Sequence, residues 1–249
     1  MEDVAEPSVI HRTYAVPRAG VDASEYEDAS RVAAEAWPVS AAVADGATES
    51  AFARTWAELL VHGFTTEGAA SAEGLDAVLS SAQSSWRMQV AEETVDRPWY
   101  VSAKAVEGAF ATLLGLSVHE DGRWSAVAVG DSCLLHVRAS RLIHSWPHDA
   151  SDAFDHRPSL LPSRGRGRTP SPRVTSGRWE SGDLFLLATD AAAEWLLEVG
   201  VPDVPTRTEA EFREAVQTAR QDGALRNDDV TLTMLEVRSR PQPHPAASE

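Results

Sequence analysis

A run of small and apolar residues that ends abruptly on an acid constrains the fold of this chain most. The run covers residues 40–44 and stops at Asp45-Gly46, and a helix-like pattern starts at once from Ser50. An apolar strand that carries Asp at its end, followed by Gly where the backbone turns or approaches a ligand, commonly places an acid at a sheet edge. Asp-Gly is also a strong plain turn signal, so this pair alone leaves both interpretations open.

The same arrangement recurs further along the chain. Apolar strand patterns end on Asp131 and on Asp190, and Asp228 directly precedes an alternating strand pattern at residues 230–237. Acids at the ends of several strands favour a shared site over a series of unrelated turns.

Helical and strand patterns are mixed along the chain. Large apolar residues recur every three or four positions between Phe52 and Phe64, which predicts a buried amphipathic helix, and a second helical pattern covers residues 75–90. Strand patterns then dominate up to residue 146, and two more helical patterns, at 191–199 and 209–220, precede the closing strand. We expect a domain that contains both helices and antiparallel strands.

Composition limits the classes of partner. The 249 residues, 43% of them hydrophobic, suit one large domain. The net charge of −16 disfavours nucleic acid and anionic membranes as partners and suits cation binding. The single cysteine, Cys133, excludes an internal disulfide and a cysteine-based zinc cluster, and we interpret it as a core residue. No apolar run approaches a membrane span, so we expect a cytoplasmic protein.

Residues 147–177 differ in character from the rest of the chain. Arginines alternate there with Pro, Ser and Gly without periodicity, which predicts a mobile loop. It is either an exposed insert or a basic flap that recruits an anionic, phosphorylated substrate. We expect the domain to cover residues 1–238 and the Pro-rich tail, 239–249, to be disordered.

The acids at strand ends point to metal chemistry. Buried carboxylates repel one another unless cations neutralise them, so a convergent set implies metal. Oxygen ligands without cysteine or clustered histidine suit Mg²⁺ or Mn²⁺. Two such ions can activate a hydroxide and polarise a phosphoryl group, which is the chemistry of phosphate-ester hydrolysis. The candidate set is Asp28, Asp45, Asp131, Asp190 and Asp228.

The order of these motifs resembles that of the metal-dependent protein phosphatase 2C family over about residues 8 to 237. Each motif alone is unspecific, but together they occur in the family's order and in the expected strand or loop context. The motifs are Glu27-Asp28, Val43-Ala44-Asp45-Gly46, Val129-Gly130-Asp131-Ser132, Leu187-Ala188-Thr189-Asp190 and Asn227-Asp228-Asp229-Val230-Thr231.

The resemblance implies a role for each matching residue. Asp45 would bridge two Mn²⁺ or Mg²⁺ ions, and Gly46 would offer its backbone carbonyl to one of them. Asp190 and Asp228 would complete the shell of the second ion, so these two and Asp45 would be the catalytic acids. Further contributions are implied for Asp28, which would hold the cluster with Glu27 behind it, and for Asp131, which would help Asp190 to bind a third, weaker ion.

The resemblance also implies the fold and the reaction. The fold would be an α-β-β-α sandwich of two mostly antiparallel sheets flanked by helices, in the α+β class. The reaction would be attack of a hydroxide bridging two metal ions on phosphoserine or phosphothreonine in a protein. A phosphorylated protein would be the substrate, and a cognate Ser/Thr kinase in a bacterial signalling pair is the partner that the family suggests.

Several positions depart from the family pattern. No His follows Asp45-Gly46 to act as general acid, Ala191 stands where Gly is commoner, and position 23, where many relatives have the phosphate-anchoring Arg, is Ala. These departures indicate a divergent bacterial-type member. The arginines that could anchor phosphate instead are Arg18, which is out of register, and the flap residues Arg164, Arg166 and Arg168.

Two other functional classes compete with this interpretation. A serine hydrolase would need a nucleophile elbow, but the sequence around Ser132 lacks its second glycine. The stronger alternative is a catalytically weak or inactive phosphatase-like domain that binds a phosphoprotein or signalling partner. The missing arginine favours that alternative. Retention of all five acids argues against it, because a binding domain has little reason to keep mutually repelling carboxylates.

Overall fold

Two five-stranded antiparallel sheets form the centre of the computed structural model, which describes residues 7–47, 50, 52–67, 70–95, 105–149, 158–165, 170–201 and 207–238. From edge to edge, the first sheet contains β1 (Ser8–Val16), β12 (Val230–Arg238), β11 (Leu184–Ala188), β7 (Cys133–Arg138) and β8 (Arg141–Trp146). The second contains β10 (Arg173–Arg178), β6 (Arg123–Val129), β5 (Leu113–Val118), β3 (Val39–Ala44) and β2 (Ala29–Ala33).

Helices cover the outer face of each sheet. The helices α1 (Ala53–Glu67) and α2 (Ala72–Glu93) pack on the second sheet, where Trp56, Phe64 and Trp86 lie in one apolar cluster. The helices α3 (Asp190–Val199) and α4 (Glu209–Gln221) pack on the first sheet through Leu196 and Phe212. The two sheets bury a third cluster between them. These layers confirm the predicted α-β-β-α sandwich.

The strand β3 shows why the sequence before Asp45 does not alternate. Ala42 and Ala44 face the helical layer, whereas Ala41 and Val43 face the other sheet. Both faces of the strand are therefore buried, and every position can be apolar.

The range predicted as an unstructured flap contains regular structure. A short strand, β9 (Leu161–Pro162), pairs with β4 (Phe110–Ala111), and β10 forms an edge of the second sheet. Most side chains of β10 are exposed, so the strand carries no apolar alternation that a sequence pattern could reveal. Residues 150–157 and 166–169 of the predicted flap, and the predicted disordered tail, lie outside the described residues, as do residues 96–104.

The topology brings the candidate acids to one end of the sandwich. Asp45 directly follows β3, and Asp28 directly precedes the neighbouring antiparallel strand β2. Asp131 lies in the turn between β6 and β7. Asp190 follows β11, and Asp228 lies just before the antiparallel strand β12. Because the end of one antiparallel strand lies beside the start of the next, all five positions share this edge.

Candidate metal centre

Three acids converge at this end of the sandwich. Asp45, Asp131 and Asp190 each place one carboxylate oxygen within 4.8 Å of the others. Asp131 is buried, and Asp45 and Asp190 are half-buried. Carboxylate oxygens at this spacing are the ligands that Mg²⁺ and Mn²⁺ bind in proteins.

The electrostatics of the cluster also suit a cation. Burial raises the pKa of Asp45 well above its usual value, and the charges of four neighbouring acids raise it further: Asp28, Asp190, Asp228 and Asp131. Burial raises the pKa of Asp190 as well. Carboxylates in this position are costly as anions on their own, and a divalent ion would remove the cost. The residues present therefore fit the metal that the resemblance implies.

Asp28 lies beneath the convergent acids and is held by hydroxyl groups. Thr189 and Thr231 both donate hydrogen bonds to its Oδ2, at 3.0 and 2.7 Å, and the hydroxyl of Tyr26 bonds that of Thr231. Burial raises the pKa of Asp28 to about 8, with further increases from Asp229 and Asp190. Asp28 thereby joins the ends of β2, β11 and β12.

The backbone beside Asp45 is in close contact with its surroundings. A methyl group added at Gly46 would lie 2.7 Å from the carbonyl oxygen of Glu27 and 3.0 Å from the backbone of Ala53. Only glycine allows this approach, which explains the Asp-Gly pair physically. The predicted coordination of an ion by the Gly46 carbonyl stays a prediction.

Arg18 and Glu27 form a separate contact behind the cluster. The guanidinium of Arg18 pairs with Glu27 at 3.2 Å. The backbone N–H groups of both residues donate to the carboxylate of buried Asp229, at 2.8 and 2.9 Å. The sequence did not single out Asp229, although its position directly after Asp228 was a signal. The guanidinium of Arg18 is thus engaged with Glu27, the acid that directly precedes Asp28.

Arg226 is the second residue that the sequence analysis missed. Its guanidinium pairs with Asp190, with Glu194 at 3.1 Å and with Asp228 at 3.5 Å. Asp228, a predicted ligand, therefore faces an arginine and is not one of the three acids that converge within 4.8 Å. The available signal was a cationic residue two positions before a predicted ligand.

Of the three flap arginines predicted to anchor phosphate, the structure describes only Arg164. Arg164 lies over the ring of Trp86, 5.9 Å from its centroid, and donates to the carbonyl of Val106 at 2.9 Å. Arg166 and Arg168 lie outside the described residues. The role of these arginines in substrate binding stays a prediction.

A polar cavity of about 170 Å³ opens beside the acid cluster. Asp131 lines one side of it, and the flap range contributes His148, Ser159, Ser171 and Arg173. The cavity gives the predicted flap a direct border with the candidate centre.

In the described part of the chain, no helix is both long enough and apolar enough to cross a membrane.

Comparisons with solved structures show the same fold at low sequence identity. The catalytic domain of the serine threonine protein phosphatase PstP, in complex with two manganese ions, has a TM-score of 0.63 and 20% identity over 94% of this chain and 100% of that one. The phosphatase Stp1 from Staphylococcus aureus has a TM-score of 0.64 and 14% identity over 91% and 94%. PppA of Pseudomonas aeruginosa has a TM-score of 0.63 and 21% identity over 95% and 99%.

Of the two sequence comparisons, only the one with family models found a match. No curated protein sequence matches the chain. The sequence model of the family described as protein phosphatase 2C matches residues 22–231, which is most of the chain. The motifs that suggested the resemblance all lie within this match. The chain therefore belongs to the protein phosphatase 2C family and is an enzyme of the protein-serine/threonine phosphatase class.

Proposed function

We propose that the acid cluster holds two Mn²⁺ or Mg²⁺ ions and that the protein hydrolyses phosphoserine or phosphothreonine in protein substrates. The observation that carries the proposal is the convergence of three carboxylates within 4.8 Å at a site where burial and mutual repulsion raise the pKa of Asp45. Ions bound there would supply an activated water for phosphate-ester hydrolysis and polarise the phosphoryl oxygens.

Each candidate residue would have its own role in binding the ions. Asp45 would hold both ions, Asp190 and Asp228 would hold the second, and the Gly46 carbonyl would add a ligand to one. Asp131, which shares the cluster with Asp45 and Asp190, would serve a third, weaker ion. Asp28 contacts Thr189 and Thr231 and would position the strand ends from beneath, with Glu27 behind it.

The phosphoprotein would reach the centre from the side of the predicted flap. The cavity beside Asp131 carries hydroxyl groups and the guanidinium of Arg173, which suit a phosphorylated peptide. Arg18, Arg164, Arg166 and Arg168 remain the proposed phosphate or substrate contacts. A cognate Ser/Thr kinase, a role in signal transduction and a cytoplasmic location belong to this proposal as well.

A second function deserves a direct test. In this alternative the domain binds a phosphoprotein or signalling partner with little or no turnover. The observation that favours it is Ala at position 23, together with the pairing of Arg18 with Glu27 instead of an open position for phosphate.

The first experiment is hydrolysis of p-nitrophenyl phosphate with Mn²⁺, with Mg²⁺ and with EDTA. We expect metal-dependent turnover that Asp45→Asn abolishes while the circular dichroism spectrum stays unchanged. Asp121→Asn is the matched control, because Asp121 lies exposed in the turn before β6, at the opposite end of that strand. Turnover by Asp45→Asn at the wild-type rate would refute the metal assignment. Absence of turnover with Mn²⁺ bound would favour the binding domain.

A second experiment tests the flap. Replacing Arg164, Arg166 and Arg168 together by Ala should raise KM for a phosphopeptide more than KM for p-nitrophenyl phosphate. Arg213→Ala, on the exposed face of α4, is the control and should change neither. Equal increases for both substrates would count against a recruiting flap.

A further inference from the structure

Arg226 lies among three carboxylates at the edge of the metal centre. Asp190 begins α3, and Glu194 follows one turn later on the same helix, so both carboxylates can meet one guanidinium. Asp228 approaches from the segment before β12, with Oδ2 3.5 Å from Nε of Arg226. The Arg226 side chain is 35% exposed and that of Asp190 is 14% exposed. The contact is therefore partly shielded from water.

Two of these three partners are proposed ligands of the second ion. A guanidinium is permanently charged and binds carboxylates in the same in-plane directions that a metal ion uses. A carboxylate paired with Arg226 has less negative charge to offer an ion, and a divalent ion beside the guanidinium is repelled. Arg226 and an ion at Asp190 and Asp228 therefore oppose each other.

Glu194 offers Arg226 a place outside the centre. It is the third partner of the guanidinium and is not among the acids that converge on Asp45. If Asp190 and Asp228 took a divalent ion, Glu194 would remain as a carboxylate partner for the displaced guanidinium.

We propose that the guanidinium of Arg226 competes with the second divalent ion for Asp190 and Asp228. When that ion binds, Arg226 would leave these two carboxylates and pair with Glu194 alone. The proposal rests on the metal centre proposed above. It makes the two halves of the centre unequal. An ion held by Asp190 and Asp228 would have to displace Arg226, whereas an ion held by Asp45 and the Gly46 carbonyl would use neither of the carboxylates that pair with Arg226. Arg226 is accordingly a positioning residue that sets metal affinity.

The test is calorimetric titration of the metal-free full chain with Mn²⁺ alone. We expect Arg226→Gln to bind the second ion about tenfold more tightly than the wild type, the change that loss of one repulsive charge gives. The metal-free variant should also melt at a lower temperature, because three carboxylates lose their counter-ion. Glu194→Gln should bind the second ion less tightly than the wild type, since the displaced arginine then loses its Glu194 partner.

Two further variants keep the experiment decisive. Arg213→Gln removes an arginine of α4 that pairs with a carboxylate, Glu209, away from the centre, and should leave Mn²⁺ affinity unchanged. Arg226→Lys keeps the charge but offers only one ammonium group, so we expect an affinity between those of the wild type and Arg226→Gln; it also serves if Arg226→Gln does not fold.

The outcomes separate the two proposals. Equal or weaker Mn²⁺ binding by Arg226→Gln, with the wild type binding normally, overturns the competition and leaves the metal centre intact; a lower melting temperature without a change in affinity would show a purely structural tether. Absence of Mn²⁺ binding by both proteins overturns the metal centre and the competition together.

Discussion

Asp45 and Thr112 are joined by two hydrogen bonds that run in opposite directions. The backbone N–H of Asp45 donates to Oγ1 of Thr112 at 3.0 Å, and the backbone N–H of Thr112 donates to the carbonyl of Asp45 at 2.8 Å. Thr112 is fully buried, and its hydroxyl also bonds that of Ser132 at 3.1 Å. One threonine therefore links the segments that carry Asp45 and Asp131.

Thr112→Val should weaken the metal centre as well as the fold. Valine keeps the shape of the side chain but leaves the Asp45 N–H and the Ser132 hydroxyl without this partner, at a cost of about 1–3 kcal/mol in the free energy of unfolding. Urea unfolding and Mn²⁺ titration measure the two effects. Thr13→Val is the matched control. Thr13 is exposed on β1, and its hydroxyl forms a hydrogen bond with that of Thr233, away from the acid cluster. An unchanged affinity for Mn²⁺ in Thr112→Val would contradict the role of Thr112 at the site.

Gly130→Ala should destabilise the protein more than Gly182→Ala. Both glycines have positive φ, +108° and +91°, so alanine strains the backbone at each. Only at Gly130 would the new methyl group lie 2.5 Å from the side chain of Thr112, whereas at Gly182 no atom lies within 4 Å. The difference between their unfolding free energies isolates the clash beside Asp131. Equal losses would show that Thr112 moves aside freely.

The contribution of Asp28 to the stability of the metal-free protein should fall as the pH rises. Burial raises the pKa of Asp28 to about 8, so between about pH 4 and pH 8 the folded protein keeps a proton that the unfolded chain has lost. The contribution of Asp28 to the free energy of unfolding therefore decreases across this window and levels off above it. Urea unfolding in EDTA at several pH values measures the slope, which Asp28→Asn should reduce and Asp121→Asn should not. Identical slopes for the wild type and Asp28→Asn would contradict the raised pKa.

Asp183→Asn should destabilise the fold far more than Glu180→Gln, although both carboxylates pair with Arg138. Asp183 is fully buried and accepts two hydrogen bonds from Arg138, both at 2.7 Å, and one contact from His136 at 2.8 Å. The side chain of Glu180 is 68% exposed. We expect losses of about 3 kcal/mol and less than about 1 kcal/mol, respectively. Thermal or urea unfolding measures both, and comparable losses would refute the distinction.

The lowered pKa of Asp183 predicts that the protein loses stability at low pH. Although burial opposes it, the hydrogen bonds from Arg138, the Glu180 backbone and His136 lower the pKa of Asp183 below its usual value of 3.8. The stabilisation it provides is complete above pH 3.8 and disappears as the pH falls through the lowered pKa of the folded state. Asp183→Asn should therefore lose less stability than the wild type between pH 4 and strongly acidic solution.

The sequence by itself determined the main strands and helices and the positions of the acids along them. The strands β3 and β11 are recognisable because burial on both faces allows almost every position to be apolar, and α1 is recognisable because one buried face repeats at helical spacing. An acid directly after such a strand is visible without any tertiary information. The layered fold followed from the order of the motifs, which matched a known family.

Only the tertiary structure decided which side chains meet. Arg226 and Glu194 are 32 residues apart, and Thr112 and Asp45 are 67 apart, so no local pattern links them. Their contacts depend on sheet register and helix packing, which place distant segments within hydrogen-bonding distance. The edge strand β10 also escaped the sequence, because its exposed side chains carry no apolar period. Local burial leaves a periodic mark in the sequence, whereas contacts between distant polar groups leave none.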